Sequence, residues 1–280
     1  MTRPALRLGV LQTCTGIDPA ASAAALVAGI GALAAQGANI VFTPEMSGLL
    51  DRDRARAAEH IHPEADDLVL TAVRTAAAAH GIWVSLGSLA LRRADGRLAN
   101  RGFLIDAHGG IVARYDKIHL FDVDLANGER HRESATYAPG DHVVVATTPW
   151  GGLGLTICYD VRFPALYADL ARAGAGMIAV PAAFTVPTGA AHWHVLLRAR
   201  AIETGAFVVA AAQSGTHADG RATFGHSLIV DPWGTVLLDL GSEPGGAVID
   251  VDLNMVTATR ARIPSLANAR PFSPASALAR

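Results

Sequence analysis

The sequence predicts a mixed α/β fold built in layers, and three observations carry that expectation. Short apolar runs of strand length alternate with helix-patterned segments along the whole chain. Hairpin-linked strands occupy its middle, which sets it apart from a purely parallel doubly wound sheet. The composition, 51% hydrophobic and 17% charged over 280 residues, supplies the side chains for a sizeable core.

Each element has a local reason. Residues 6–11 are an apolar run that reads as a buried strand. Asp18 is placed to cap a helix over 18–36, with Pro19 at its first position and Gly37 at its end. Residues 38–42 form a second short strand. Residues 64–80 have helical spacing, with Leu68, Val73 and Ala77 along one side and Gly81 as the C-cap. Strand 82–91 turns at Asp95-Gly96 into strand 98–106, and Gly109-Gly110 turns into strand 111–115. From His119 to Gly140 the pattern breaks into polar residues, among them Asp122, Asp124, Asn127, Glu129, Arg130 and Glu133. So long a polar connection within a domain is a functional loop or a disordered one. Strands 143–147 and 153–158, helix 163–173, strand 177–180, loop 181–189, helix 192–204 and strand 207–212 follow. Strands 228–230, 236–240 and 247–253 surround the turn Asp231-Pro232-Trp233-Gly234. A short helix over 254–261 leads to the tail. No linker and no repeat period interrupts the chain, so one domain is expected over 1–265, with a tail over 266–280.

Composition also excludes partners. A net charge of −2 and a pI near 6.6 give no basic surface for nucleic acid or an anionic membrane. The Ala-rich stretch 20–35 is too short and too weakly apolar for a membrane span and reads as a core-packing helix. Cys14 and Cys158 form neither a CxxC pair nor a disulfide framework. With no signal-peptide pattern after Met1, a reduced cytoplasmic setting is expected.

Four residues stand out as candidates for chemistry. Lys117 is the single lysine among 23 Lys and Arg. An ammonium is a compact point charge where a guanidinium is a planar fork, so a small cation site beside a reacting atom takes Lys and not Arg. Cys158 sits where an apolar strand meets a tight turn and a helix opened by Pro164. A thiol presented there can attack a carbonyl while the Tyr159 N–H helps hold the oxyanion. Glu45 follows the apolar strand 38–42, and a carboxylate just beyond a buried strand end suits acid–base work. Glu133 lies in the long polar loop. Glu45, Lys117 and Cys158 thus all follow apolar strands, where α/β sheets place their sites. Considered alone, each also has a plainer structural reading. His119, His192, His194 and His226 show no metal-binding spacing; His192 and His194 are a poor helical pair. GxSxG, Walker and dinucleotide-binding motifs are absent.

The blocks Pro44-Glu45, Tyr115-Asp116-Lys117-Ile118-His119-Leu120-Phe121 and Cys158-Tyr159-Asp160-Val161-Arg162-Phe163-Pro164 resemble the nitrilase superfamily, the carbon–nitrogen hydrolases. The resemblance continues in order through Ala191-His192-Trp193, Arg198 to Glu203, Gly225-His226-Ser227 and Asp231-Pro232-Trp233-Gly234. It implies a single-domain, four-layer αββα sandwich with mixed sheets and a Glu-Lys-Cys triad at Glu45, Lys117 and Cys158. It further implies a second glutamate at Glu133, a homodimer or higher oligomer, and neither metal nor organic cofactor.

Within the superfamily, Tyr159 to Pro164, residues 181–189, His192-Trp193 and Arg198 to Glu203 resemble the deaminated-glutathione amidases. That resemblance implies hydrolysis of a small carboxylate-bearing amide to 2-oxoglutarate and cysteinylglycine, as metabolite repair. Arg162, Phe184 and His194 are the expected substrate-binding residues; Arg162 could equally serve a structural salt bridge. His194 stands where that family usually has Glu, a change that alters the charge of the pocket. The competing readings are an ω-amidase acting on 2-oxoglutaramate, a nitrilase, and a non-catalytic binding protein on the same fold.

Overall fold

The computed structural model describes residues 6–124, 128 and 130–273. The chain begins with β1 (Leu6–Gln12), α1 (Pro19–Ala35), β2 (Ile40–Phe42), α2 (Arg54–Ala58), α3 (Leu68–His80), β3 (Trp83–Arg92), β4 (Leu98–Ile105) and β5 (Ile111–Asp116). A short hairpin, β6 (Asp122–Asp124) and β7 (Arg130–Arg132), precedes β8 (Val144–Thr148), β9 (Gly151–Leu155), α4 (Pro164–Arg172), β10 (Ala175–Ala179) and α5 (Val186–Thr204). Then follow β11 (Phe207–Ala210), the hairpin β12 (Ser214–Thr216) and β13 (Ala222–Phe224), β14 (Leu228–Val230), β15 (Val236–Asp239), β16 (Gly245–Val251), α6 (Asn254–Arg262) and α7 (Ser265–Asn268).

These strands build two six-stranded sheets, ordered β16-β1-β2-β3-β4-β5 and β15-β14-β11-β10-β9-β8. Each has parallel strands at its centre, β1-β2-β3 in one and β9-β10-β11 in the other. Antiparallel strands flank them, so both sheets are mixed. Alternation along the strands sorts the core into layers. Leu8, Val10, Ile40, Phe42, Leu104 and Tyr115 share one apolar cluster with Leu153, Leu155 and Met177 of the second sheet. The intervening residues Val41, Phe103 and Ile105 join Leu26, Ile30, Val69 and Val73 of α1 and α3 in another. On the far side of the second sheet, α5 buries Trp193, Leu197 and Ala201. Helices, sheet, sheet, helices is the expected four-layer sandwich.

The predicted helix starts and stops are seen at α1, where the Asp18 carboxylate accepts the Ala20 and Ala21 N–H groups, and at α3, where Gly81 takes the left-handed conformation. Several boundaries differ from the sequence reading. The helix expected over 64–80 opens with a 3₁₀ turn at Glu64–Asp66, and α3 restarts at Leu68 because Asp67 caps the Leu70 N–H. The helix expected from residue 192 begins at Val186, since Pro187 fits a first helical turn. Strand β9 stops at Leu155, short of Cys158: the Ile157 N–H turns to the Asp160 carboxylate and the Cys158 N–H to the Pro181 carbonyl. The long polar connection holds the β6–β7 hairpin and a 3₁₀ turn at Glu133–Ala135. Its Asn127 and Glu129 lie outside the described residues, as do residues 1–5 and residues 274–280 of the tail. The boundary drawn at 265 falls inside α7. The β12–β13 hairpin and α2 are elements the sequence reading did not include. Among the described residues, no helix is long and apolar enough to cross a membrane.

One glycine is required where the sheet meets the site. A Cβ on Gly87 would stand 2.2 Å from the carbonyl oxygens of both Thr43 and Pro44. Gly87 therefore lets β3 pass against the chain that carries Glu45, and its own N–H donates to Thr43 Oγ1. Gly87→Ala is expected to lower stability by about 2–3 kcal/mol in urea denaturation, with loss of turnover. Gly16→Ala, which meets nothing within 4 Å, should stay within about 0.5 kcal/mol of the parent.

Candidate active site

Three strands end at one place. Glu45 lies beyond β2, Lys117 directly after β5, and Cys158 past β9. Their side chains are buried: Lys117 is 2% exposed, Glu45 4% and Cys158 7%. The Lys117 ammonium is shared by two carboxylates, with Nζ 2.9 Å from Glu45 Oε1 and 2.8 Å from Glu133 Oε2. Glu133 reaches this position from its 3₁₀ turn and also accepts the Phe121 N–H at 2.7 Å. The long polar loop is thus folded inward by one of its own charges. The second Glu45 oxygen accepts the Ala183 N–H at 2.9 Å. The thiol lies near enough to Glu45 and Lys117 to feel both of their charges.

The backbone is held in an unusual conformation here. Among the described residues, three non-glycine residues have positive φ: Met46 at 53°, Cys158 at 51° and His226 at 54°. Two of them are Cys158 itself and the neighbour of Glu45. Such conformations persist only where surrounding bonds over-determine them, and they cluster at functional sites. The bonds are visible: the Met46 N–H donates to Ser88 Oγ, and the Cys158 N–H donates to the Pro181 carbonyl. The Tyr159 N–H follows Cys158 in the turn Cys158–Arg162.

Electrostatics sets the resting protonation. Burial pushes the Cys158 thiol well above its ordinary value, and the Glu45 carboxylate adds to this against the opposing pull of Lys117. Cys158 therefore rests as a thiol, beside the Glu45 carboxylate. For Lys117, burial alone would favour loss of charge, but the Glu133 and Glu45 carboxylates outweigh it and hold the ammonium well above its usual range.

Two residues that the sequence reading passed over complete the cluster. Asn100, 1% exposed on β4, donates through Nδ2 to both Glu45 Oε1 and Glu133 Oε1, at 2.9 and 3.1 Å. It keeps the two carboxylates apart while bonding both. Asp160 is fully buried and its carboxylate accepts four bonds. They come from the Tyr115 hydroxyl, the Ile157 N–H, and the His119 N–H and ring Nδ1. It fastens the turn carrying Cys158 to the residues on either side of Lys117. A signal existed for each in the sequence: an amide inside an apolar strand, and an acid two residues past Cys158.

The expected substrate-binding residues separate. Arg162 Nη2 lies 3.2 Å from His192 Nδ1, and its guanidinium sits 5.9 and 5.6 Å from the Tyr159 and Phe184 ring centres. Among the described residues it has no carboxylate partner, so the structural salt bridge is not formed. Phe184 is buried against Trp193, with ring centres 4.6 Å apart, next to the Ala183 N–H. His194 points elsewhere, to Asp239 at 2.9 Å. Cys14 is an exposed free thiol and Cys158 a buried one; no disulfide joins them. A cavity of about 410 Å³ lined by Trp150, Met177, Val256 and Arg260 is lined by none of the clustered residues.

Fold and site together define the class, a four-layer sandwich hydrolase. Residues 7–261 match the family described as carbon–nitrogen hydrolase, and the chain belongs to that family. It is similar to the deaminated glutathione amidase of Yersinia enterocolitica, 43% identical over 233 residues that cover 82% of this chain and 81% of that one. Among solved structures it resembles the Caenorhabditis elegans NitFhit protein, with a TM-score of 0.89 and 34% identity, covering 96% of this chain and 66% of that chain. It also resembles a mutant of the amidase from Nesterenkonia sp. AN1 that shows covalent addition of the acetamide moiety of fluoroacetamide at the active site cysteine. That likeness has a TM-score of 0.80 at 26% identity, covering 96% of this chain and 94% of the other. The chain is accordingly an enzyme that hydrolyses carbon–nitrogen bonds of amides.

The electrostatic arrangement has a testable consequence. Because the Glu45 charge raises the Cys158 pKa, Glu45→Gln should let the thiolate form at lower pH while amide turnover collapses. Thiolate absorbance followed against pH in a Cys14→Ser background measures this. A titration that stays in place or moves upward would contradict the assigned coupling.

Proposed function

We propose that the chain is an amidase acting through a Cys158 thioester, and that its substrate is deaminated glutathione or a closely related small amide bearing a carboxylate. Glu45 takes the proton from the Cys158 thiol as the sulfur attacks the amide carbonyl. The carbonyl π-bond electrons move to oxygen, and Lys117 with the Tyr159 N–H stabilises that oxyanion. The oxyanion collapses, the C–N bond breaks, and Glu45 returns its proton to the departing nitrogen. The acyl group is left on sulfur as a thioester. Water, deprotonated by Glu45, then attacks the thioester; the acid leaves and the proton returns to Cys158. Glu133 keeps Lys117 charged and aimed. With deaminated glutathione the departing nitrogen belongs to cysteinylglycine and the acid is 2-oxoglutarate.

The observation that carries the substrate reading is Arg162. A half-buried guanidinium beside the nucleophile turn, held by His192 and two aromatic faces and lacking a carboxylate partner among the described residues, suits the carboxylate of a 2-oxo acid. The relative from Yersinia enterocolitica named for this activity supports the same choice. We place the enzyme in the cytoplasm as a homodimer or higher homo-oligomer. Exposed Val195 and Ile202 on α5, with Trp233 and Leu237, offer an apolar surface for a second copy.

Deaminated glutathione should give a higher kcat/KM than 2-oxoglutaramate in steady-state assays; a better rate on the shorter acid would replace this reading with an ω-amidase. Arg162→Leu is expected to raise KM about tenfold to a hundredfold, with kcat much less affected, from the loss of a charged hydrogen bond. Cys158→Ala should abolish turnover while circular dichroism and Tm remain near the parent's.

A further inference from the structure

The third strained residue, His226, has no part in the amide chemistry. Its φ of 54° matches those of Met46 and Cys158, and bonds that are not its own side chain's hold it there. Its N–H donates to the Gly241 carbonyl at 2.6 Å, and its carbonyl accepts the Trp193 indole N–H at 2.8 Å. Its ring stacks on Phe224 with centres 4.4 Å apart. This fixes Nδ1 2.9 Å from Asp239 Oδ1, while His194 brings Nε2 to 2.9 Å from Asp239 Oδ2. Asp239 is itself held, accepting the Gly241 N–H at 2.9 Å. The two imidazoles, from helix α5 and the turn before β14, converge on the one carboxylate at the end of β15.

We propose that His194, His226 and Asp239 form a binding site for a divalent transition-metal ion of the Zn²⁺ type, separate from the catalytic cluster. The donor atoms of the three side chains lie within 4.8 Å of one another, the one such group of three found among the described residues. Tetrahedral Zn²⁺ with bonds of about 2.0–2.1 Å needs donors about 3.3 Å apart, so a small adjustment of side chains admits the ion. Two imidazoles and a carboxylate suit Zn²⁺ or Co²⁺, with water at the open position, and not Ca²⁺ or Mg²⁺, which prefer oxygen-rich sites. On binding, each imidazole turns an unprotonated nitrogen to the ion. The proton now shared with Asp239 moves to the other ring nitrogen or to solvent. The ion would tie α5 to the β14–β15 hairpin behind Phe224, whose N–H donates to the Phe184 carbonyl. The site therefore borders the proposed substrate wall without touching the nucleophile.

The full chain, freed of metal with a chelator and dialysed, tests this by Zn²⁺ calorimetry and by visible absorption with Co²⁺. One equivalent of Zn²⁺, a rise in Tm, and the strong d–d bands of four-coordinate Co²⁺ are expected. Asp239→Asn and His194→Ala should each weaken Zn²⁺ binding by at least about tenfold, with unchanged far-ultraviolet circular dichroism. His194 lies on the side of a helix with its side chain 37% exposed, so its removal provides a variant expected to fold if the Asp239 change does not. Absence of Zn²⁺ binding by the parent chain would overturn the proposal. So would binding of equal strength in both variants, or binding abolished by alkylating Cys14 and Cys158, which would place the ion on the thiols.

Discussion

The site depends on one buried cation. Lys117 carries its charge almost out of contact with water, and a lone ammonium there would be heavily penalised. Glu45 and Glu133 remove that penalty, and the rest of the local structure keeps those two carboxylates in place. Asn100 bonds to both. The Phe121 N–H holds Glu133, and the Ala183 N–H holds Glu45. Removing either carboxylate leaves the cation undercompensated, so stability and electrostatic readiness are the same property in this cluster.

The sandwich supplies what the cluster cannot. Its carboxylate, ammonium and thiol are borne by segments far apart in sequence, and each leaves a different strand end. Parallel strands at the centre of both sheets bring the ends of β2 and β9 to one rim, where Gly87 permits the close passage of β3. Asp160 then locks the turn carrying Cys158 to the chain on both sides of Lys117. The fold's apolar layers need no such precision; the hydrogen bonds at the rim do, and the positive φ values of Met46 and Cys158 show where it is imposed.

Much of this was legible in the sequence. Strand and helix periods are local, so the alternation that separates Val41 from Ile40 and Phe42 could be read from residue order. Asp18 and Gly81 could be read as helix ends. Glu45, Lys117 and Cys158 could be placed after strands; that they meet at one rim is a tertiary fact which residue spacing could only suggest. Asn100 and Asp160 were missed because their roles exist only between elements. His194 and His226 stand out as histidines, but their convergence on Asp239 is hidden for the same reason: Asp239 lies 45 residues from the first and 13 from the second, and no local metal pattern spans them. The start of α5 at Val186 and the early end of β9 reflect backbone partners that a window of sequence does not contain.

In the proposed mechanism the cation at the oxyanion must be a compact ammonium held by Glu45 and Glu133. Lys117→Arg tests it most directly, because the charge is kept and only its shape changes. Acid-quenched samples of the variant and the parent, mixed with deaminated glutathione, can be compared by intact mass for the acyl thioester on Cys158. The parent should accumulate acyl-enzyme in the first turnover, and the variant, folded normally, should form it at a small fraction of that rate. Acylation of Lys117→Arg at close to the parent rate would contradict it.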